Sequence, residues 1–458
     1  MWNLLKVIIL AGGGGTRLFP LSRKSRPKQF LSVDKEESLL GETIARFKGI
    51  VRPEDIVIVT NKAYYHHVQT ELLEAGVSGA NVVLEPQSKN TAPAIALAVK
   101  FCQTQLNSND DEVMFISTSD HIIRPAVTFH NAVIKAEELA KKGKFVTFGI
   151  LPTKPETGFG YIETGKDIDG ALITSSFKEK PDLETAERYI VAGNYFWNSG
   201  MFAFRIDTYI SELKNYAQDV FEHIHDSFVE TVNDFCNMPD ISIDYAVAEK
   251  SKIGVTLPLK LYWNDVGSWD AIYDVLDKDE DGNAIKGDVV TINCKDNLIL
   301  GETRLIAGIG LKDIMIVETD DVILIAQKGE SQQVKNLVNE LQKRGRKEAV
   351  EHTTLYYKWG HQSVLGTGKN YKMKQLVIRP GESIESKMHY HRSVHWVVIQ
   401  GAAEVIIDGE AQMLHDNESV FIPKTTYYSI NNPGKISLIL IEVENGEYLD
   451  DDDIVIKS

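Results

Sequence analysis

The sequence is short of cysteine, of long apolar runs and of positive charge. Its three cysteines, Cys102, Cys236 and Cys294, are odd in number and far apart, which excludes a disulfide framework and fits a reducing compartment with the thiols used for packing. No stretch reaches the roughly 18 uninterrupted apolar residues that a spanning helix needs, so no membrane contact is expected. The early run "LLKVIIL" lacks the basic flank and cleavage signature of a secretory leader and leads directly into glycines. A buried strand accounts for it, and a cytoplasmic location is expected. Lys and Arg number 49 against 65 Asp and Glu, a formal charge of -16. Such a chain carries no general footprint for nucleic acid or anionic membrane, and an anionic substrate needs a local basic site.

What is present is an ample core. The chain has 458 residues, 43% hydrophobic and 25% charged, enough for two or three domains. Short apolar runs, "LLKVIILA", "IVIVT", "NVVLE", "VMFIST" and "FVTFGI", alternate with helically spaced segments such as "TAPAIALAVKFCQTQ". Continuous apolar strands separated by helices predict an α/β domain with a parallel sheet buried on both faces; it is expected to span residues 1–275. Residues 276–350 read as a small β domain of short strands punctuated by Gly and Asp, closed by the helical segment "ESQQVKNLVNELQKRGRK" with its basic end. Residues 351–458 alternate apolar and polar positions between turns at "PGE", "DGE" and "NNPG", which predicts a small antiparallel sandwich or barrel. The acidic stretch "DDDD" before Ile454 reads as a solvated terminus. Exposed β edges in these two modules make a homo-oligomer reasonable.

The stretch "LAGGGGTRLFPLSRKSRPKQFL" carries the chemistry. It is not a Walker loop, because no Gly-Lys-Ser/Thr follows, and not a dinucleotide fingerprint, because Arg17 stands at the third glycine position. What remains is a strand ending in glycines whose backbone N–H groups can approach phosphate oxygens, followed by Arg17, Arg23, Lys24, Arg26 and Lys28.

These residues resemble the G-x-G-T-R-x-x-P-x-S-x-x-x-x-P-K signature of sugar-1-phosphate nucleotidyltransferases, with Gly13, Gly15, Thr16, Arg17, Pro20, Ser22, Pro27 and Lys28 in place. "EPQSKNTAPAIALA", "ETGFGYIE", "FKEKP", "WNSGMF", "DYAVAEK" and "WNDVGSW" are similar to the mannose-1-phosphate guanylyltransferase branch. The similarity runs over essentially the whole chain. It implies a GT-A-like, Rossmann-like mixed-sheet domain, a small β domain and a C-terminal cupin β-barrel of the type II mannose-6-phosphate isomerase kind. The implied reaction is attack of mannose-1-phosphate on the α-phosphorus of GTP, giving GDP-mannose and pyrophosphate with Mg²⁺ as cofactor. The related folds that use UTP, dTTP or CTP, and a catalytically silent sugar-nucleotide sensor, stay open as alternatives.

By this resemblance Arg17, Lys28, Asp120 and Asp265 are catalytic, and Asp120 and Asp265 ligate the metal. Ala11, Gly12, Gly13, Gly14, Gly15, Thr16 and Arg17 hold the triphosphate; Glu85 is expected on guanine because a carboxylate can accept both N1–H and the exocyclic amine, with Asn90 and Thr91 nearby over ribose or phosphate. Gly160, Tyr161, Glu179, Lys180 and Asn198 take the sugar phosphate, Tyr161 by packing on its ring. His121 reads as structural. Gly14 occupies the variable position of the signature, so a side chain there should be tolerated better than at Gly13 or Gly15.

The cupin departs from its family's pattern. Laid on Gly381 and Gly401 and on Pro423 and Asn432, the two cupin motifs place the four metal-ligand positions at Lys387, His389, Val394 and Tyr428. Only His389 can ligate, since a protonated lysine and a valine have nothing to donate. Isomerase activity is therefore expected to be lost, with a bifunctional enzyme as the alternative. A second frame, His389, His391 and His395, would offer Zn²⁺ three imidazoles.

Overall fold

The structure is a computed structural model describing residues 5–457. Residues 1–4 and 458, the outermost positions of the expected first and last domains, lie outside the described residues. Ten strands organise the first part of the chain: β1 Leu5–Leu10, β2 Ile56–Asn61, β3 Asn81–Glu85, β4 Val113–Thr118, β5 Ile122–Arg124, β6 Phe145–Ile150, β7 Gly160–Ile168, β8 Ala171–Glu179, β9 Tyr195–Arg205 and β10 Gly254–Leu259. All but β5 join one nine-stranded sheet in the order β3-β2-β1-β4-β9-β6-β10-β8-β7.

The sheet is mixed, so the expectation of a purely parallel sheet from the apolar runs is corrected, in the direction the family resemblance implied. β1 pairs in parallel with β2, Val7 opposite Ile56, and with β4, Leu5 opposite Val113. β9 then runs antiparallel between β4 and β6. β7 and β8 add an antiparallel hairpin whose turn residues Asp169 and Gly170 both take positive φ, the geometry a tight hairpin demands.

Two apolar layers cover the sheet. On one side Ile8, Val57 and Ile116 meet the helix Thr91–Gln105, where Ala92, Ala94, Ala96 and Ala98 are buried with Ile95, Val99 and Cys102. Its alanines bring the helix close to the strands. On the other side Phe47, Phe115 and Phe129 stack edge to face, each such pair adding about 0.5–1.5 kcal/mol beyond area burial.

Ala284–Lys286, Leu298–Leu300 and Ile314–Glu318 stack in parallel as successive rungs of a coil. Asn283 and Asn297 form a ladder inside it, Asn297 Nδ2 donating to Asn283 Oδ1 at 2.9 Å. The helix Val334–Lys343 follows.

The chain divides into two compact units, one up to Thr319 with Ile323–Arg344, the other from Gly345 onward with Asp320–Val322. The second unit pairs a six-stranded with a five-stranded antiparallel sheet around Leu376, Val394, Trp396, Val405 and Tyr428. Its acidic end is not simply solvated. Asp453 is buried and accepts from His391 Nδ1 at 2.7 Å, and Ile454–Ile456 pairs with Lys387–His389. Of the cysteines expected to pack, Cys102 and Cys294 are buried, whereas Cys236 is exposed.

Candidate active site

In an open α/β sheet ligands gather beyond the carboxyl ends of the parallel strands. Here β1 ends at Leu10, β3 at Glu85 and β4 at Thr118, and the glycine loop, the guanine-reader candidate and Asp120 follow at that edge. Two side chains fix the loop. Gln29 Nε2 donates to the carbonyls of Ala11 and Gly13, each at 3.0 Å, and Thr60 Oγ1 donates to Ala11 O at 3.0 Å. Among the described residues the N–H groups of Gly13, Gly14, Gly15 and Thr16 make no backbone hydrogen bond, which leaves them to an anion.

The glycines are not equivalent, but not in the expected way. A Cβ at Gly12 would lie 2.2 Å from Glu85 Oε1, whereas one at Gly13 meets no protein atom within 4 Å, at Gly14 only Tyr64 Oη at 3.5 Å, and at Gly15 only Lys28 Cβ at 3.8 Å. Protein packing therefore does not set Gly14 apart; the tight position is Gly12. The expected cationic patch also splits. Arg23 is buried, its Nε bonded to Pro20 O at 3.0 Å and its guanidinium over Phe19, and Arg26 donates to Phe30 O. Only Arg17 and Lys28 of the five line the cavities beside the loop.

Lys28 joins the two aspartates. Its Nζ lies 2.9 Å from Asp120 Oδ2 and donates to the backbone oxygen of Asp265 at 2.5 Å. The strand Tyr262–Asn264 makes this possible, because it pairs with β5 and sets Asn264 opposite Ile122, so Asp265 comes out beside Asp120. Val266 is held at φ 49 in full burial, a costly conformation for a β-branched residue; its N–H bonds Asn264 Oδ1 at 2.7 Å while Gly267 N–H bonds Asp265 Oδ1 at 3.0 Å. Burial by itself would raise the Asp120 carboxyl, but the Lys28 ammonium, His121 and hydrogen bonds to the carboxylate together outweigh it and hold the group below its ordinary value. His121 packs edge-on against Trp263 at 5.1 Å, and burial lowers its pKa.

A cavity of about 420 Å³ runs from the glycine loop and Lys28 past Asp120 to Glu85, Asn90 and Thr91. Burial pushes the Glu85 carboxyl up to about 7. Asn90 caps the helix behind it at φ 68, its Oδ1 accepting from Thr91 N, and Thr91 Oγ1 accepts from Ile243 N at 2.8 Å. On the sugar side Gly160, Glu179 and Asn198 converge: a Cβ at Gly160 would lie 2.7 Å from Glu179 Oε2 and 3.6 Å from Asn198 Cβ. Lys180 pairs with Glu179 at 2.7 Å. Tyr161 departs from expectation. It is fully buried with its ring against Tyr189, so it supports the strand and offers no face to a sugar.

Sequence reasoning missed Gln29 and Asp244. Gln29 follows Lys28 in the signature stretch, and nothing in its residue type announced a loop anchor. Asp244 opens a π-helical turn, Asp244–Ala248, a feature that favours functional sites. It lines the large cavity and accepts from Asn198 Nδ2 at 2.6 Å. Burial raises its carboxyl, reinforced by Glu179 and opposed by the Asn198 bond.

In the C-terminal unit the motif positions do meet. Lys387 pairs with Tyr428 across two strands, its ammonium 5.6 Å from the ring, and His389 Nε2 lies 2.8 Å from Tyr428 Oη. His389 Nδ1 accepts from Arg392 Nε at 3.0 Å, so both imidazole nitrogens are engaged. The three-histidine frame fails: Ser383–His389 ends at His389, His391 is tied to Asp453, and His395 is exposed while Val394 and Trp396 point inward. The turn at 390–391 resets the parity on which that frame relied. Among the described residues no three His, Cys, Asp or Glu side chains are grouped to hold a metal ion.

Comparison with known proteins assigns the family. A family of nucleotidyl transferases matches residues 6–282, a MannoseP isomerase/GMP-like β-helix domain matches 287–341, and a mannose-6-phosphate isomerase C-terminal domain matches 344–457. The chain is 41% identical to a mannose-1-phosphate guanylyltransferase of Salmonella montevideo, covering 99% of this chain and 98% of that one. It is also 41% identical to the xanthan biosynthesis protein XanB of Xanthomonas campestris, over 98% and 97% of the two chains. A crystal structure from Thermus thermophilus, described as a mannose-1-phosphate geranyltransferase, superposes with a TM-score of 0.68 at 27% identity over 74% of this chain and 99% of that one. The chain thus belongs to the mannose-1-phosphate guanylyltransferase family of nucleotidyl transferases, in the form that continues into a β-helix segment and an isomerase-type C-terminal domain.

Proposed function

We propose that this protein transfers GMP from GTP to mannose-1-phosphate, releasing pyrophosphate. The observation that carries the reading is the meeting of the glycine loop, Arg17, Lys28, Asp120 and Asp265 around one cavity. A sugar-phosphate oxygen attacks the α-phosphorus, the bond to the β-phosphate oxygen breaks, and no covalent enzyme intermediate is needed. The task is to hold two anions in line and to neutralise their charge. The loop N–H groups and Arg17 hold the triphosphate, and Lys28 reaches the reacting phosphate from between the aspartates. Glu85 accepts from the guanine edge. Glu179 and Asn198 read sugar hydroxyls, with Asp244 holding the Asn198 amide and Lys180 near the sugar phosphate.

Asp120 and Asp265 offer oxygen only, the donor set of a hard divalent cation, and Mg²⁺ commonly takes one or two carboxylates and completes its shell with phosphate and water. When bound it would supply charge neutralisation on the phosphates.

For the C-terminal unit we infer loss of isomerase chemistry, because Lys387, Val394 and Tyr428 stand where the motif puts ligands and His389 is already committed. Purified protein given GTP, mannose-1-phosphate and Mg²⁺ should form GDP-mannose with one pyrophosphate per turnover. No product would overturn the transferase reading, and conversion of mannose-6-phosphate to fructose-6-phosphate would overturn the inferred loss.

A further inference from the structure

We propose that Lys335, on the helix Val334–Lys343, is a phosphate-binding residue of the transferase site, gripping the β- and γ-phosphates of the nucleotide and the pyrophosphate they become; this rests on the transferase reading above. A cavity of about 350 Å³ opens beside Lys28, walled by Gly14, Gly15, Arg17, Asp265 and Lys335. It adjoins the larger cavity that leads to Glu85, sharing Gly15, Lys28 and Asp120 with it, and is the more basic of the two, since Arg17 and Lys335 belong to it and not to the other. In a chain of net charge -16, three cations facing bare loop N–H groups mark an anion site.

The cations differ in what they already hold. Lys28 is tied to Asp120 and Asp265, whereas Arg17 and Lys335 make no ion pair among the described residues. Lys335 is also brought there by construction. Val334 and Val338 are buried at 3% and 2% exposure, which fixes the rotation of the helix. Its lead-in is stitched to Asp270, which accepts from Gly329 N at 2.9 Å and from the Ser331 hydroxyl. Asp270 lies on the helix Trp269–Val275, which begins just beyond Asp265 and Gly267. Gln332, one turn before Lys335, lines the neighbouring cavity with Arg17. The coil segment thus supplies a wall and a charge to the phosphate end of the site.

As the bond from the α-phosphorus to its bridging oxygen breaks, negative charge moves onto the departing pyrophosphate. An ammonium placed there stabilises it in both directions of the reaction, and says nothing to the sugar. The test compares Lys335→Met, Lys335→Arg and the distal charge control Lys343→Met in forward and reverse turnover. Lys335→Met should raise the KM for GTP, and for pyrophosphate in the reverse direction, roughly 10-fold or more, with the KM for mannose-1-phosphate within about twofold. Lys335→Arg should recover most of the loss, and Lys343→Met should behave as the parent. Unchanged KM values for GTP and pyrophosphate in Lys335→Met would overturn the proposal. Should the parent itself fail to turn over, the transferase reading falls, and calorimetric titration with pyrophosphate still decides Lys335: affinity lost in Lys335→Met at unchanged Tm sustains the anion site, and equal affinity refutes it.

Discussion

Glu85 sets the first test at the scale of single residues. Its carboxyl is buried, burial moves its pKa from 4.5 to about 7, and a guanine edge needs the ionised form as acceptor. In the free protein the cost of ionising it is absent below pH 4.5, where folded and unfolded chains are both protonated, and grows as pH rises toward 7. Guanine hydrogen bonds offset that cost, so the KM for GTP should fall as pH rises from about 6 to 8. Glu85→Gln should lose most of this slope and raise the KM for GTP; an unchanged pH profile would remove Glu85 from the base site. Gly12 gives a linked test. A methyl there meets the mobile end of the Glu85 side chain at 2.2 Å, so Gly12→Ala should displace the carboxylate at little cost in Tm and raise the KM for GTP roughly 10-fold, while Gly14→Ala stays near the parent. The motif made these residues legible as a set. It could not rank them, because which glycine is crowded depends on Glu85, 73 positions further along the sequence, and Tyr161 could not be told from a sugar contact until its burial was known.

Among elements, the apolar runs revealed the parallel half of the sheet because a strand buried on both faces leaves nothing polar to interrupt it. They did not reveal that β9 runs the other way, since a continuous run reads the same in either direction. Nor did periodicity expose the Tyr262–Asn264 pairing with β5 or the π-turn at Asp244, each of which draws its stability from tertiary partners and too few residues to show a pattern. Gln29 shows what this hides. One amide ties the carbonyl of Gly13 to that of Ala11, which Thr60 also holds, and so helps to set the shape of the loop. Gln29→Met should remove two hydrogen bonds at a modest cost of about 1–2 kcal/mol, since Ala11 O keeps the Thr60 hydroxyl and the exposed Gly13 can turn to water, and should lower kcat/KM for GTP more than for mannose-1-phosphate. Equal loss for both substrates would mean the residue supports the fold at large and not the loop.

At the scale of the whole molecule, the C-terminal unit keeps a cupin's shape with a different interior. Lys374 Nζ reaches Glu444 Oε1 at 2.6 Å and Glu442 Oε1 at 3.3 Å, Arg392 Nη1 donates to Glu444 Oε2 at 3.2 Å, and Trp396 Nε1 donates to Glu442 Oε2 at 2.8 Å, all of these side chains being buried. Burial would raise the Glu442 carboxyl, but the ammonium groups of Lys387 and Lys374 win and hold it well below the ordinary range, whereas burial and the Glu442 charge raise its neighbour Glu444. A carboxylate depressed in the folded state contributes stability that is complete above its unfolded pKa of about 4.5 and is lost as pH falls toward the folded value. As Glu442 is protonated the unit should therefore lose stability on acidification below about pH 4.5, the raised Glu444 offsetting part of the loss, read as lost hydrogen-exchange protection in the strand Arg392–Gln400. Removing one partner of a buried network strands the rest, a loss of about 3–5 kcal/mol. Lys374→Met should accordingly lower the unfolding midpoint of this unit at pH 7, and should narrow the gap between its midpoints at pH 7 and at pH 4, because the carboxylates it leaves are easier to protonate. A variant as stable as the parent at pH 7 would show that the network contributes nothing to the barrel and that its apolar layer, Leu376, Val394, Val405 and Leu440, holds the unit alone.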